Sequence, residues 1–250
     1  MPELRESFLN GVDTSDMMMS KQVFFFLLIP AFALGEILLQ DDFNREESDD
    51  ALEEVGGGWQ TNSAKRAQGV KQADLREGAL HIVMAKEADH GVSVVHDVDF
   101  RNATISVRFR LDSLKDDLGI NIADMKEKSV HAGHICVANV RPTKLTLSDL
   151  KTGNMKQEHR KARQAGTASD DLKELLKTKT VTFPVDVSLG DWHDLLIRIE
   201  GETMTVSING KEAGTFSSEG IGHATKSRIR VAVKREAWID NVVVTALPAS

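Results

Sequence analysis

Residues 192–216 read WHDLLIRIEGETMTVSINGKEAGTF, and this stretch decides the fold. Leu195 to Ile199, and then Met204, Val206 and Ile208, place apolar side chains at the two-residue period of half-buried strands. Glu200-Gly201-Glu202 turns the chain between them, with Gly201 permitting the tight bend. Asn209-Gly210 tolerates the two positive φ values of a type I′ turn, and Glu212 to Phe216 supplies the returning strand. The segment therefore reads as an antiparallel meander.

The same period recurs in both directions. Towards the N-terminus it appears in Ile37 to Phe43, in Leu80 to Met84 after the Gly78 turn, and in residues 133–140. Ala103, Ile105, Val107, Phe109 and Leu111 alternate with Thr104, Ser106, Arg108 and Arg110. Leu145 to Ser148 follows Pro142. Towards the C-terminus Ile229, Val231 and Val233 alternate with Arg230, Ala232 and Lys234, and Trp238 to Thr245 ends the pattern. About ten strands with no βαβ rhythm predict an all-β chain: a two-sheet antiparallel sandwich of jelly-roll type. Residues 154–178 break the rhythm with helix-forming composition. Gly166 divides them, and Thr167 and Asp170 have capping-box-like spacing ahead of Leu172, Leu175 and Leu176. This predicts a helical insertion, either a solvated flap or a lid over the sheet.

The 250 residues are 41% hydrophobic and 28% charged, a globular composition, and the net charge of −7 gives no reason to expect a nucleic-acid partner. Val23 to Gly35 is an apolar run between Lys21 and Glu36. It spans about 20 Å as a helix, short of the ~30 Å hydrocarbon core, and Ala33-Leu34-Gly35 suits a cleavage site. The chain accordingly divides into a signal peptide over 1–35 and one domain over 36–250, with a secreted or periplasmic destination and no integral span after cleavage. The acidic lead Met1 to Asp16 is unlike a signal, so initiation at Met17, Met18 or Met19 fits better. Cys136 is the only cysteine. It excludes an internal disulfide and, in its apolar run, reads as a buried thiol.

Several motifs carry a resemblance. Gly190-Asp191-Trp192-His193-Asp194-Leu195, Glu200-Gly201-Glu202, Val206 to Lys211 and Ile239 to Val244, with Asp41-Asp42-Phe43 at the start, resemble secreted bacterial members of the concanavalin A-like lectin/glucanase superfamily. In particular they look like 3-keto-disaccharide hydrolase-type and laminin-G-like domains. The resemblance spans roughly residues 37–247 and implies adjacent first and last strands. It also implies saccharide binding or processing, with a glycoside hydrolase or lyase acting on 3-keto sugars and a non-catalytic surface interaction domain as alternatives.

The residues themselves limit the chemistry. Glucanases of that superfamily carry E-x-D-x-x-E on one strand, and no convincing strand here holds it. Asp97-x-Asp99 has the parity but precedes the strand proper and lacks Glu. Tyr is absent and five of ten Phe lie in the first 35 residues, so an aromatic sugar platform is not expected, and Trp192 reads as a core plug. A cationic groove is the leading candidate, built from Arg108, Arg110, Arg230 and Lys234 and joined by His134 and Lys144. His134 is the candidate base for proton abstraction beside a ketone. Asp41, Asp42, Asp240 and Asn241 form a possible structural calcium site, and no other cofactor is expected. Asn102-Ala103-Thr104 matches a glycosylation sequon.

Overall fold

The computed structural model describes residues 35–248, and the predicted signal segment falls almost wholly outside them. Two antiparallel sheets face each other across one apolar core. The first runs β13 (Lys211–Ser217), β12 (Thr203–Ile208), β11 (His193–Glu200), β6 (Ala103–Arg110), β15 (Glu236–Ala246), β4 (Ala79–Val83), β3 (Ala73–Arg76). β1 (Ile37–Asp41) pairs with the second half of β15, continuing the edge that β4 occupies along the first half. The second sheet runs β10 (Thr180–Pro184), β9 (Lys144–Asp149), β8 (His134–Arg141), β7 (Leu118–Ala123), β14 (Lys226–Val233), β5 (Val92–Phe100), β2 (Gln60–Thr61).

The quoted meander forms as its turns require. Ile208 pairs with Lys211 across Asn209-Gly210, whose φ values are 52° and 75°. Along β11, His193, Leu195, Ile197 and Ile199 are buried while the residues between them face solvent. That alternation gives the core its first wall, and Ile229, Val231 and Val233 of β14 give part of the second. Each such Leu, Ile or Val contributes roughly 1.5–3 kcal/mol on burial. No disulfide assists, and Cys136 is fully buried, its thiol pushed up to about 12 by desolvation.

The structure adds strands that were not read. β7 is the middle strand of the second sheet and β5 lies next to its β2 edge, and Asp97 and Asp99 lie within β5 rather than before it. The helical insertion holds α2 (Gln157–Gln164) and α3 (Asp170–Thr178), which a four-residue turn, α1 (Ser63–Arg66), precedes in the chain. Ser169, not Thr167, caps α3 by accepting from the Leu172 amide at 3.2 Å. No helix among the described residues is long and apolar enough to cross a membrane.

Candidate functional site

The outward face of the second sheet carries a cleft, and the strand register explains it. Asn139, Gly119, Ala232 and Ser93 lie in one row across β8, β7, β14 and β5. Gly119 and Ala232 have almost no side chain, so the row sinks between Asn139 and Ser93. The resulting lobe holds about 560 Å³ and is also lined by Asp117, Asn121, His134, Arg230 and Lys234. A second lobe of about 360 Å³ adjoins it, bounded by Gln60 to Asn62, Lys65, Arg66, His131 and Arg228. His90, Ser93, His134 and Arg230 line both.

Arg230 and His134 form the junction. Asn121 is paired with Arg230 on adjacent strands, and its Oδ1 lies 2.9 Å from His134 Nδ1. Arg230 Nη1 lies 2.9 Å from His134 Nε2. Arginine only donates, so the consistent tautomer carries its proton on Nδ1, donates it to Asn121, and accepts from Arg230 at Nε2. Burial, followed by the charge of Arg230, pushes His134 down to about 3, and the imidazole is neutral near pH 7. His131 is lowered as well, by burial and then by Arg160 of α2 and Arg230. A neutral ring whose free lone pair already accepts a hydrogen bond is a poor proton acceptor, which weighs against His134 as a base.

The predicted cationic groove does not close. Arg108 and Arg110 belong to β6 in the first sheet, whereas Arg230 belongs to β14 in the second, with Lys234 just beyond it. The two pairs therefore face outward on opposite sides of the core. Arg230, Lys234 and His134 come together at the cleft. Lys144 is exposed at the β8–β9 hairpin and lines neither lobe. Arg108 and Arg110 instead pack on Trp192, 4.9 and 5.5 Å from its ring, and Arg110 also covers Trp238 at 4.3 Å. Trp192 is thus a half-buried partner of two guanidiniums, not a core plug. His193, 6% exposed, takes the inward position beside it.

The acidic strand ends do meet, because β1 pairs with β15, but as turn and bulge residues. Asp41 accepts Arg45 at 2.7 and 3.0 Å, the Phe43 amide at 2.8 Å and Trp59 Nε1 at 2.8 Å. Asp42 accepts from the Asn44 amide, and Asp240 from the Asn241 amide at a bulge where Asn241 has φ 48°. Arg45 already neutralises the negative charge that Asp41 would offer a cation. Among the described residues one carboxylate trio, Glu47, Asp50 and Asp74, is close enough to share an ion, and the Lys71 ammonium sits against all three. Asn102 of the sequon is buried and accepts from the Gly201 amide, which leaves its amide poorly placed for modification.

Asn121, Asn139, Ser93 and Asp117 were not anticipated. Polar residues between apolar ones in a strand signal only an outward face, which any solvated strand shares. A second missed cluster lies outside both lobes. His223 joins Asp124 (Nε2 to Oδ2, 3.0 Å) to Lys151 (Nδ1 to Nζ, 2.9 Å), and Asp149 accepts from Ser218 and the Gly220 amide. Its members bind one another and tie the 218–225 loop to the second sheet.

Solved structures share the fold at low identity. A non-specific endo-beta-1,3(4)-glucanase from family GH16 has a TM-score of 0.57 at 10% identity, covering 85% of this chain and 91% of its own. The laminarinase from Rhodothermus marinus gives 0.55 at 13%, covering 85% and 97%. The laminarinase from Flavobacterium sp. UMI-01 gives 0.54 at 13%, covering 84% and 100%. These likenesses establish a concanavalin A-like jelly roll. No curated protein is a significant match by sequence. The family model for the 3-keto-alpha-glucoside-1,2-lyase-like domain matches residues 52–245, and the chain belongs to that family.

Proposed function

We propose that this chain is an exported saccharide-binding jelly-roll domain whose ligand occupies the two-lobed cleft of the second sheet. The observation that carries the reading is the row of small residues flanked by amides. Gly119 and Ala232 open the floor, and Asn121, Asn139, Ser93 and Arg230 offer donors and acceptors suited to hydroxyl groups. The apolar run Val23 to Gly35 supports export. Full-length Ala232→Leu fills the floor of the lobe without touching the core face of β14. It is expected to weaken glycan binding at least tenfold by calorimetry while the melting temperature stays within a few degrees. Unchanged binding would refute this location.

Family membership favours a second reading, a lyase acting on a 3-keto-glucoside. That chemistry removes the proton beside the ketone and expels the neighbouring glycosidic oxygen. His134 is unsuited to the step. Asp117 lines the cleft and is 1% exposed, with Oδ2 sealed and without a hydrogen-bond partner, so this reading requires that ligand binding uncover that oxygen as the proton acceptor. Sugar release from 3-keto-glucosides that Asp117→Asn abolishes would establish this second reading in preference to simple binding.

A further inference from the structure

The charge at the cleft junction lacks an intramolecular match. Arg230 is half-buried, yet no carboxylate among the described residues lies within salt-bridge distance of it or of Lys234. Burial lowers the Arg230 pKa from its ordinary value, the direction expected of a cation held without a counter-charge. Nη1 is committed to His134, and Arg230 makes no other side-chain hydrogen bond there. Nε and Nη2, which form the other edge of the guanidinium, make no side-chain hydrogen bond and are not fully sealed, and Arg230 lines both lobes. Two parallel N–H groups on one planar edge match a carboxylate side-on.

The surroundings locate that carboxylate. The first lobe contains two acids. Asp117 is held by the Lys234 amide and lies 3.9 Å from Arg141, and Asp89 pairs with Arg66. The second lobe has no acid in its lining and includes Lys65, Arg66 and Arg228, of which Arg66 pairs with Asp89 and Arg228 with Asp97. An anionic group is thus disfavoured beside Asp117 in the first lobe and favoured at the junction, where the unpaired Arg230 faces a second lobe without acids.

Resting on the saccharide-binding reading, we infer that the ligand is an acidic oligosaccharide of at least two sugar units, whose uronate carboxylate docks on the Nε–Nη2 edge of Arg230 between the two lobes. His134 positions that edge: by accepting from Nη1 it fixes the guanidinium plane, and as a neutral ring it adds no competing charge.

The test uses the full-length chain and a panel of uronate oligosaccharides (oligogalacturonate, oligoglucuronate and oligomannuronate, one to four units), each beside its carboxyl-reduced counterpart. The expected result is at least tenfold tighter binding of one acidic series over its reduced form, a further gain from one unit to two, and weakening as salt is raised. Arg230→Gln should erase the preference for the acidic form, and Arg230→Lys should restore part of it. Equal binding of acidic and reduced forms would overturn this inference and leave saccharide binding intact. Preference for sulfated oligosaccharides that lack uronate, assayed beside the panel, would overturn the carboxylate assignment, and a monosaccharide binding as tightly as the dimer would overturn the two-lobe span. Binding of no saccharide on the panel would overturn both the inference and the reading beneath it. The comparison of ligands on the unaltered chain stands even where a variant folds poorly.

Discussion

Asp41 joins three parts of the chain through one carboxylate. Burial alone would raise its pKa, but hydrogen bonds from Arg45, the Phe43 amide and Trp59 outweigh that effect, and it lies below the ordinary carboxylate range. Phe43 next to it is fully buried at φ 53°, a left-handed conformation that an aromatic residue adopts only when its surroundings impose it. Asp41→Asn leaves Arg45 without its charge partner and keeps one acceptor oxygen for the four N–H groups that now share two. We expect a loss of about 2–4 kcal/mol in urea unfolding, with little change in glycan affinity, since Asp41 lines neither lobe. At this scale the sequence was a partial guide. Adjacent acids at strand ends were visible, but their partners, Arg45 and Trp59, are separated from Asp41 by loop and cannot be paired by spacing. The same holds for Trp192. A tryptophan before an apolar strand suits an inward or an outward position equally, and the next residue, His193, took the inward one.

Among the elements, legibility followed how cleanly one face is wetted. β11, β12, β14 and β15 have one dry and one wet face, and their alternation was readable. β7 was not, because all six of its residues are buried and Gly119 interrupts any pattern. β5 was obscured by His96 and Asp97, which a strand interior seldom carries. Alternation also says which side of a strand is dry without saying which sheet the strand joins. That is why Arg108 and Arg230 were expected on one face. The loop after β13 shows what the sequence hides altogether. A side chain on Gly220 would place its Cβ 2.0 Å from Asp149 Oδ1. Asp149, 1% exposed, cannot retreat without giving up Ser218, the Thr152 amide and Thr152 Oγ1. Gly220→Ala should therefore destabilise by about 2–4 kcal/mol. It should also raise hydrogen exchange first in residues 218–225. Unaltered exchange there would mean the loop is held by other contacts.

For the whole molecule, the two sheets divide the work: the first closes the core behind an outer face of paired Arg and Trp, and the second presents the cleft. The link between cleft and global stability is His134, which packs against Arg230 from β14, Asn121 from β7 and His131 ahead of β8. Its pKa falls from 6.5 in an ordinary setting to about 3 in the fold. Between those values the unfolded chain binds a proton that the folded chain refuses, so stability declines as pH drops from about 6.5 towards about 3. One such proton corresponds to about 1.4 kcal/mol per pH unit in the middle of the window. His131, also lowered, acts in the same direction. Asp41, Asp97 and Asp124 are lowered carboxylates whose stabilisation is lost only below about pH 4, and the raised carboxyls of Asp116 and Asp240 act oppositely. These contributions largely cancel when two variants are compared at each pH. His134→Gln preserves a donor for Asn121 and an acceptor for Arg230 but cannot titrate. Its unfolding free energy should fall less steeply than that of the native chain between pH 6 and 4, by about one proton's slope. The two curves converge or cross on the acid side. Parallel curves would mean that His134 takes up its proton beside Arg230 near its ordinary pKa, and the ring would then be, below about pH 6.5, a second cation in the cleft rather than the acceptor that aims the first.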